Sequence, residues 1–292
     1  MDIGMNLPGM LPGLDRATIE AWCRGIDEGP WSSLALGERI NFPNPDLTVT
    51  LGFAAAITRR VRIHYNVLVL PLHHEVLAAK QVATLDMLSG GRVTLAVGVG
   101  GREEDYRALD REWTGKRLDR IEAQVARMRR IWAGEKAYPG ALGPVEPFPA
   151  RPGGPPILSG SLFPQSIRRA AAWADGLCGF SFGMDTDEVT AVFDQARAAW
   201  REAGRATPPR LVTGCWFALG PDAREQMDGY LRRYLSFLGD AAEYVIPTVR
   251  TTSAAELRDA AARARDAGTD ELLLVATTRD PADLMRAAEA VF

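Results

Sequence analysis

The stretch Gly37-Glu38-Arg39-Ile40-Asn41 sets a carboxylate beside a guanidinium. Glu38 and Arg39 are candidates for a proton donor and a substrate-anion clamp, roles they would lose as a mere surface ion pair. A second group is Gly98-Val99-Gly100-Gly101, followed at once by Arg102-Glu103-Glu104-Asp105. The dinucleotide fingerprint G-x-G-x-x-G fails here, because its last position is Glu103. Three acidic residues close behind would also repel a phosphate. Absent side chains let a flat ring approach the backbone, unless the glycines only make a tight strand-to-helix turn. Ser159-Gly160-Ser161, just ahead of Pro164, is a better anion site. Exposed N–H groups at a helix start, two hydroxyls, and Arg168 with Arg169 suit a phosphate; an ordinary capped helix is the plainer alternative. Asn66 breaks an apolar run before Pro71 and marks a bulge, a group facing a functional mouth, or a satisfied buried amide. His73 and His74 are adjacent rather than four apart and lack an acidic cluster of matching spacing, so no metal site is expected.

Positioning these groups requires a scaffold, and the chain supplies it by alternation. Strand-like runs fall at 2–7, 32–36, 61–69, 92–97, 156–159, 176–180, 210–219 and 271–276. Helical periodicity occupies 15–28, 46–58, 74–88, 115–133, 164–174, 186–203, 221–238, 254–267 and 281–290. Strands and helices in this order predict an α/β fold, a (β/α)₈ TIM barrel with loop insertions, with a doubly wound sheet as the alternative. Such a barrel takes about 250 residues, so residues 1–292 read as one barrel domain with about 40 residues of insertions. The Pro- and Gly-rich stretch 134–156 excludes both helix and central strand, and a loop of that length is usually functional or mobile. In a barrel the chemistry sits where strands end, which is where Glu38, Asn66, Gly98 and Ser159 fall. Phe180, Phe182 and Trp216 would add an aromatic wall if they face inward, though core packing is the commoner fate of such residues.

A net charge of −3 leaves no basic stripe for nucleic acid. The first residues carry no positive n-region, and apolar runs fall well short of the roughly 20 residues a membrane helix needs, so a cytoplasmic protein is expected. Cys23, Cys178 and Cys215 form no C-x-x-C, and reduced, buried thiols are the expected state.

Two blocks, VLVLPLHHEVLAAKQVATLDMLSGGRVTLAVGVGGREEDYRALD (67–110) and ILSGSLFPQSIRRAAAWADG (157–176), resemble the bacterial-luciferase-like flavin- and deazaflavin-dependent oxidoreductases. The resemblance implies a (β/α)₈ barrel that binds coenzyme F420 or flavin mononucleotide (FMN), with hydride chemistry at ring position 5. It places a strand-3 bulge, often with a non-proline cis peptide, at Asn66-Val67. It sets Gly98, Val99 and Gly100 beside the ring, and Ser159, Gly160 and Ser161 at the phosphate. Where relatives often carry an acidic-His pair after strand 2 this chain reads Glu38-Arg39, and where some carry a glutamate after strand 4 it has Gly101. F420-dependent hydride transfer with a small-molecule substrate is the leading expectation. An FMN-dependent monooxygenase and a non-catalytic binding barrel are the alternatives, and a homodimer is in keeping with the family.

Overall fold

Val, Leu, Ile and Ala crowd the eight strand-like runs because a parallel strand covered on both faces needs apolar side chains on both. In the computed structural model, which describes residues 1–292, these runs are β1 (Asp2–Asn6), β2 (Ser33–Leu36), β3 (Arg62–Val69), β4 (Val93–Gly98), β5 (Ile157–Ser159), β6 (Gly176–Cys178), β7 (Arg210–Phe217) and β8 (Glu271–Ala276). Each pairs in parallel with the next, and β8 returns to β1, closing the barrel. A doubly wound sheet is thereby excluded. The crossovers carry α1 (Arg16–Glu28), α2 (Leu47–Ile57), α3 (Glu75–Leu88), α4 (Glu103–Arg107), α5 (Arg117–Trp132), α6 (Pro164–Ala170) and α7 (Thr186–Glu202). Four more follow: α8 (Ala223–Tyr234), α9 (Ala242–Val245), α10 (Ala254–Asp266) and α11 (Ala282–Val291). Asp15, Asp46, Asp185 and Ser253 cap α1, α2, α7 and α10 by accepting an otherwise unpaired N–H of the first turn. No helix is long and apolar enough to cross a membrane.

Strand alternation creates two concentric layers. Trp22, Ile26, Leu34, Ile63, Leu95 and Leu274 belong to the main core between sheet and helices. Ala35, Ala96, Leu158, Cys178, Val212 and Leu273 form the small cluster inside the barrel. A separate cluster of Trp216, Met227, Tyr230, Leu231, Ile246 and neighbours lies under the β7–β8 crossover. The long insertion 134–156 has neither helix nor strand, as its prolines and glycines predict. It is nevertheless fastened to the outside, toward the N-terminal ends of the strands. Lys80 donates to the Glu146 carbonyl, Ala150 N–H to Asp86, and Arg151 to the carbonyl of Gly91 just before β4.

The N-terminal end of the barrel interior is polar. Buried Glu271 accepts hydrogen bonds from the Ser32 and Ser33 hydroxyls and from Arg62 and Arg210. A Cβ at Gly4 would stand 2.7 Å from a Leu273 methyl and 3.1 Å from Glu271 Oε1, so glycine makes room for the cluster. Burial alone would raise the Glu271 carboxyl; the cationic and hydroxyl neighbours outweigh it and hold the group well below the usual carboxylate range.

His64 is fully buried, its Nδ1 has no partner, and burial pushes its pKa down to about 4. The unfolded chain protonates this imidazole near pH 6.5 while the folded chain holds it neutral, so acidification through the window from 6.5 to 4 favours unfolding. Between pH 7 and pH 5 the expected loss from this one group is about 2 kcal/mol. Urea unfolding at the two pH values checks it. His64→Leu should flatten the difference, and an unchanged difference in that variant would assign the acid sensitivity elsewhere.

Candidate functional site

The C-terminal ends of the strands open into a cavity of about 680 Å³, within the roughly 300–1,000 Å³ usual for cofactor and small-molecule pockets. Its first wall comes from β3, β4 and β5. Along β3 and β4 the register runs from Tyr65 opposite Leu95 to Leu68 opposite Val97, so Asn66 and Val67 together face the single Ala96. This is the bulge expected at Asn66-Val67, and the peptide between them is cis. The Asn66 side chain is tied down from two sides: its Nδ2 donates to Asn6 Oδ1 at 3.3 Å, and Cys178 Sγ donates to its Oδ1 at 3.2 Å. Burial raises the Cys178 thiol pKa, which keeps the sulfur protonated as that donor.

The glycines of β4 also answer to neighbours within the protein itself. A Cβ on Gly98 would lie 2.9 Å from Val67 Cγ2, and one on Gly100, at φ +69°, 2.7 Å from Val69 Cγ1. These two positions are small because the bulged strand packs its valines into them. Across the bulge, a Cβ on Gly37 would reach 2.7 Å from the Asn66 carbonyl oxygen. Gly101 is the one glycine of the β4 run with open space in place of a side chain. Val99 is fixed through its carbonyl, which accepts the Tyr106 hydroxyl at 2.6 Å.

At the end of β5, Ser159 and Ser161 are buried at the cavity lining with their hydroxyls 2.7 Å apart. Two features of the expected anion site are corrected. The Gly160 N–H is committed to the Val97 carbonyl at 2.8 Å and is not free for a phosphate. Arg169 lines the cavity, but its guanidinium is held by Glu122 and Asp119, and Arg168 is exposed outside it. What remains there is a pair of hydroxyls and the N–H groups of Ser161 and Leu162, which the protein leaves without an acceptor.

Glu38 lines the cavity and Arg39 does not. The Glu38 carboxylate is buried, accepting Val69 N–H at 2.7 Å and standing 2.8 Å from His73 Nε2. Arg39 turns the other way. Its Nε donates to Asp105 at 2.8 Å, both side chains are about 5% exposed, and the Phe42 ring lies 4.5 Å from the guanidinium carbon. The same carboxylate accepts the N–H groups of Ile40 and Asn41. Glu38 and Arg39, expected together at the site, thus belong to two separate pairs, and only Glu38 lines the cavity. An acidic-His pair does exist here, assembled in space from Glu38 after β2 and His73 after β3.

The facing wall is aromatic. Phe180, Phe182 and Trp216 do face inward, joined by Tyr230, Tyr234 and Phe237 from the β7–β8 crossover. Trp216 lies 4.4 Å from Phe180 and 5.2 Å from Phe182, while Tyr230 and Tyr234 stack at 5.6 Å. The insertion 134–156 adds nothing to the lining; residues after β7 do. Nowhere do three or more His, Cys, Asp or Glu side chains gather in a metal-holding group.

A closed eight-stranded parallel barrel with a cofactor-sized cavity at its C-terminal mouth is the architecture of a (β/α)₈ enzyme. Residues 8–292 match the luciferase-like monooxygenase family, and the chain belongs to it. Among curated relatives, the 4-hydroxyprotoasukamycin monooxygenase of Streptomyces nodosus subsp. asukaensis is 28% identical over 241 residues, covering 73% of this chain and 64% of that one. The F420-dependent glucose-6-phosphate dehydrogenase of Beutenbergia cavernae is 40% identical over 89 residues, 30% of this chain and 26% of that one. Mycobacterium tuberculosis relatives, 32% identical over 175 residues, are matched over 60% of their own length. The fold superposes on a solved F420-dependent secondary alcohol dehydrogenase with a TM-score of 0.79, covering 99% of this chain and 98% of that one at 17% identity.

Proposed function

We propose that this chain is an oxidoreductase moving a hydride between the deazaflavin coenzyme F420 and a small organic substrate. The observation that carries the reading is the buried Glu38–His73 pair at the cavity wall. An alcohol that surrenders a hydride must also release its O–H proton, and a carbonyl that accepts a hydride must gain one. Glu38 takes or gives that proton, and the partly exposed His73 connects it to solvent. The open face at Gly101, the backbone of Gly98, Val99 and Gly100, and the Val67 side chain form a surface suited to a flat ring. The side chains of Asn66 and Cys178 hold that surface in place from behind. Ser159 and Ser161 offer hydroxyls to a phosphate beside it. When bound, the deazaflavin supplies a carbon hydride carrier that does not activate oxygen. Arg39 has no part in the chemistry; through Asp105 it fixes the loop that carries Glu38.

The monooxygenase among the relatives favours a second reading, in which FMN occupies the same wall. Equilibrium titration with the two cofactors separates them. Coenzyme F420 is expected to bind at least ten-fold more tightly than FMN. Tighter FMN, with oxygen consumed when reduced flavin is supplied, would make the chain a monooxygenase. Binding of neither would make it a non-catalytic barrel.

A further inference from the structure

Three arginines line the cavity, Arg102, Arg117 and Arg169. Arg169 is neutralised by Glu122 and Asp119. Arg117 sits 3.4 Å over the Trp113 ring and donates to the Thr114 and Gly100 carbonyls. Arg102 differs from both. Its guanidinium carbon lies 4.5 Å from the Tyr234 ring centre and 4.3 Å from that of Phe237. One terminal N–H donates to the Tyr234 carbonyl at 3.0 Å, and Nε is buried with no acceptor. No carboxylate comes within ion-pair distance; the nearest acidic side chain following it in the chain that is buried, Asp105, is spent on Arg39. Two aromatic neighbours therefore fix at the cavity wall a cation that no carboxylate of the protein pairs.

From this we infer a substrate subsite for a planar aromatic carboxylate: Arg102 receives the carboxylate, and Trp216, Phe182 and Phe180 receive the ring. A guanidinium fork matches the two oxygens of a carboxylate, and the ring faces and edges of the neighbouring aromatic wall match an aromatic body better than an aliphatic chain. Burial lowers the Arg102 pKa, so an incoming anion compensates a cation already partly stripped of water. The assignment deepens the function proposed above and rests on it in one respect, that the glycine wall is the cofactor's side and the aromatic wall the substrate's.

Calorimetric titration of the full chain with 2-naphthoate and with 2-naphthamide, in the presence and absence of saturating F420, tests it. The parent protein should bind the carboxylate at least ten-fold more tightly than the amide. Arg102→Met should erase that preference while leaving amide affinity and F420 affinity unchanged, which also shows that the variant is folded. Arg102→Lys, a point charge without the fork, should retain only part of it. Equal affinity for both probes in the parent, a preference that survives in Arg102→Met, or displacement of F420 by 2-naphthoate would each overturn the subsite. Failure of F420 to bind, with the Arg102-dependent preference intact, would sink the hydride-transfer reading and leave the subsite standing.

Discussion

Glu38→Gln is expected to lower kcat/KM about 10²–10⁴-fold, the span that a positioned acid or base contributes. Glutamine keeps the shape of the side chain and can still accept the Val69 N–H through its carbonyl oxygen, so the loop after β2 stays in place. What it cannot do is exchange a proton. His73 Nε2 would then face an amide in place of a carboxylate. His73→Gln should be milder, because it interrupts the connection to solvent and leaves the carboxylate at the wall; its signature is a changed pH profile more than a lost rate. F420 titration should be unaffected in both variants. Full activity in Glu38→Gln would remove the residue from the chemistry and return the search for a proton donor to the tyrosines of the facing wall.

Asp105→Asn is expected to destabilise the fold by about 3–5 kcal/mol, because it leaves Arg39 charged, buried and without its partner. The asparagine carbonyl can still take the N–H groups of Ile40 and Asn41, so the loss isolates the ion pair from the loop's backbone hydrogen bonds. For a chain of this size that corresponds to a fall in Tm of about 5–8 °C. Removing both charges in Arg39→Met with Asp105→Asn should recover part of it, since a buried apolar side chain replaces an uncompensated cation. Calorimetry of the three proteins decides the matter, and a single variant as stable as the parent would show that water reaches the pair.

The barrel was readable because its strands are buried on both faces and punctuated by helices. The apolar runs at 92–97 and 271–276 fall almost residue for residue on β4 and β8, and the periodic stretches at 15–28 and 254–267 on α1 and α10. After β7 the periodicity over 221–238 predicts one helix, and the structure departs from it. There α8 stops at Tyr234, and short helical turns continue to Thr248 around Gly239, which takes φ +55°. The short α4 was also missed, since five residues are too few to show a period.

In the site, the positions along the strand ends were accessible to a reading by register: Asn66, Gly98 and Ser159 all reach the cavity. Their partners were not. Glu38 meets His73 across 35 residues and Arg39 meets Asp105 across 66, and nothing in the local sequence of either member selects the other. The glycines are ambiguous in sequence for a related reason. An absent side chain has the same appearance in sequence whether a ligand or a neighbouring valine takes the room, and at Gly98 and Gly100 it is Val67 and Val69 that do.

The cluster under the β7–β8 crossover is packed separately from both barrel layers, yet it carries Trp216 and Tyr230 of the cavity wall. Heritable variation can therefore act on the two walls at different rates. Around Gly37, Val67 and Gly98 the contacts interlock across three strands, so a single change there must be answered by a second before either is tolerated. Between Ala223 and Val249 a side chain can be enlarged or trimmed against a small core of its own, with the closed sheet untouched. A lineage built on this plan can keep one wall nearly frozen and try many shapes on the other, and a mutagenesis library confined to the crossover would sample most of that freedom.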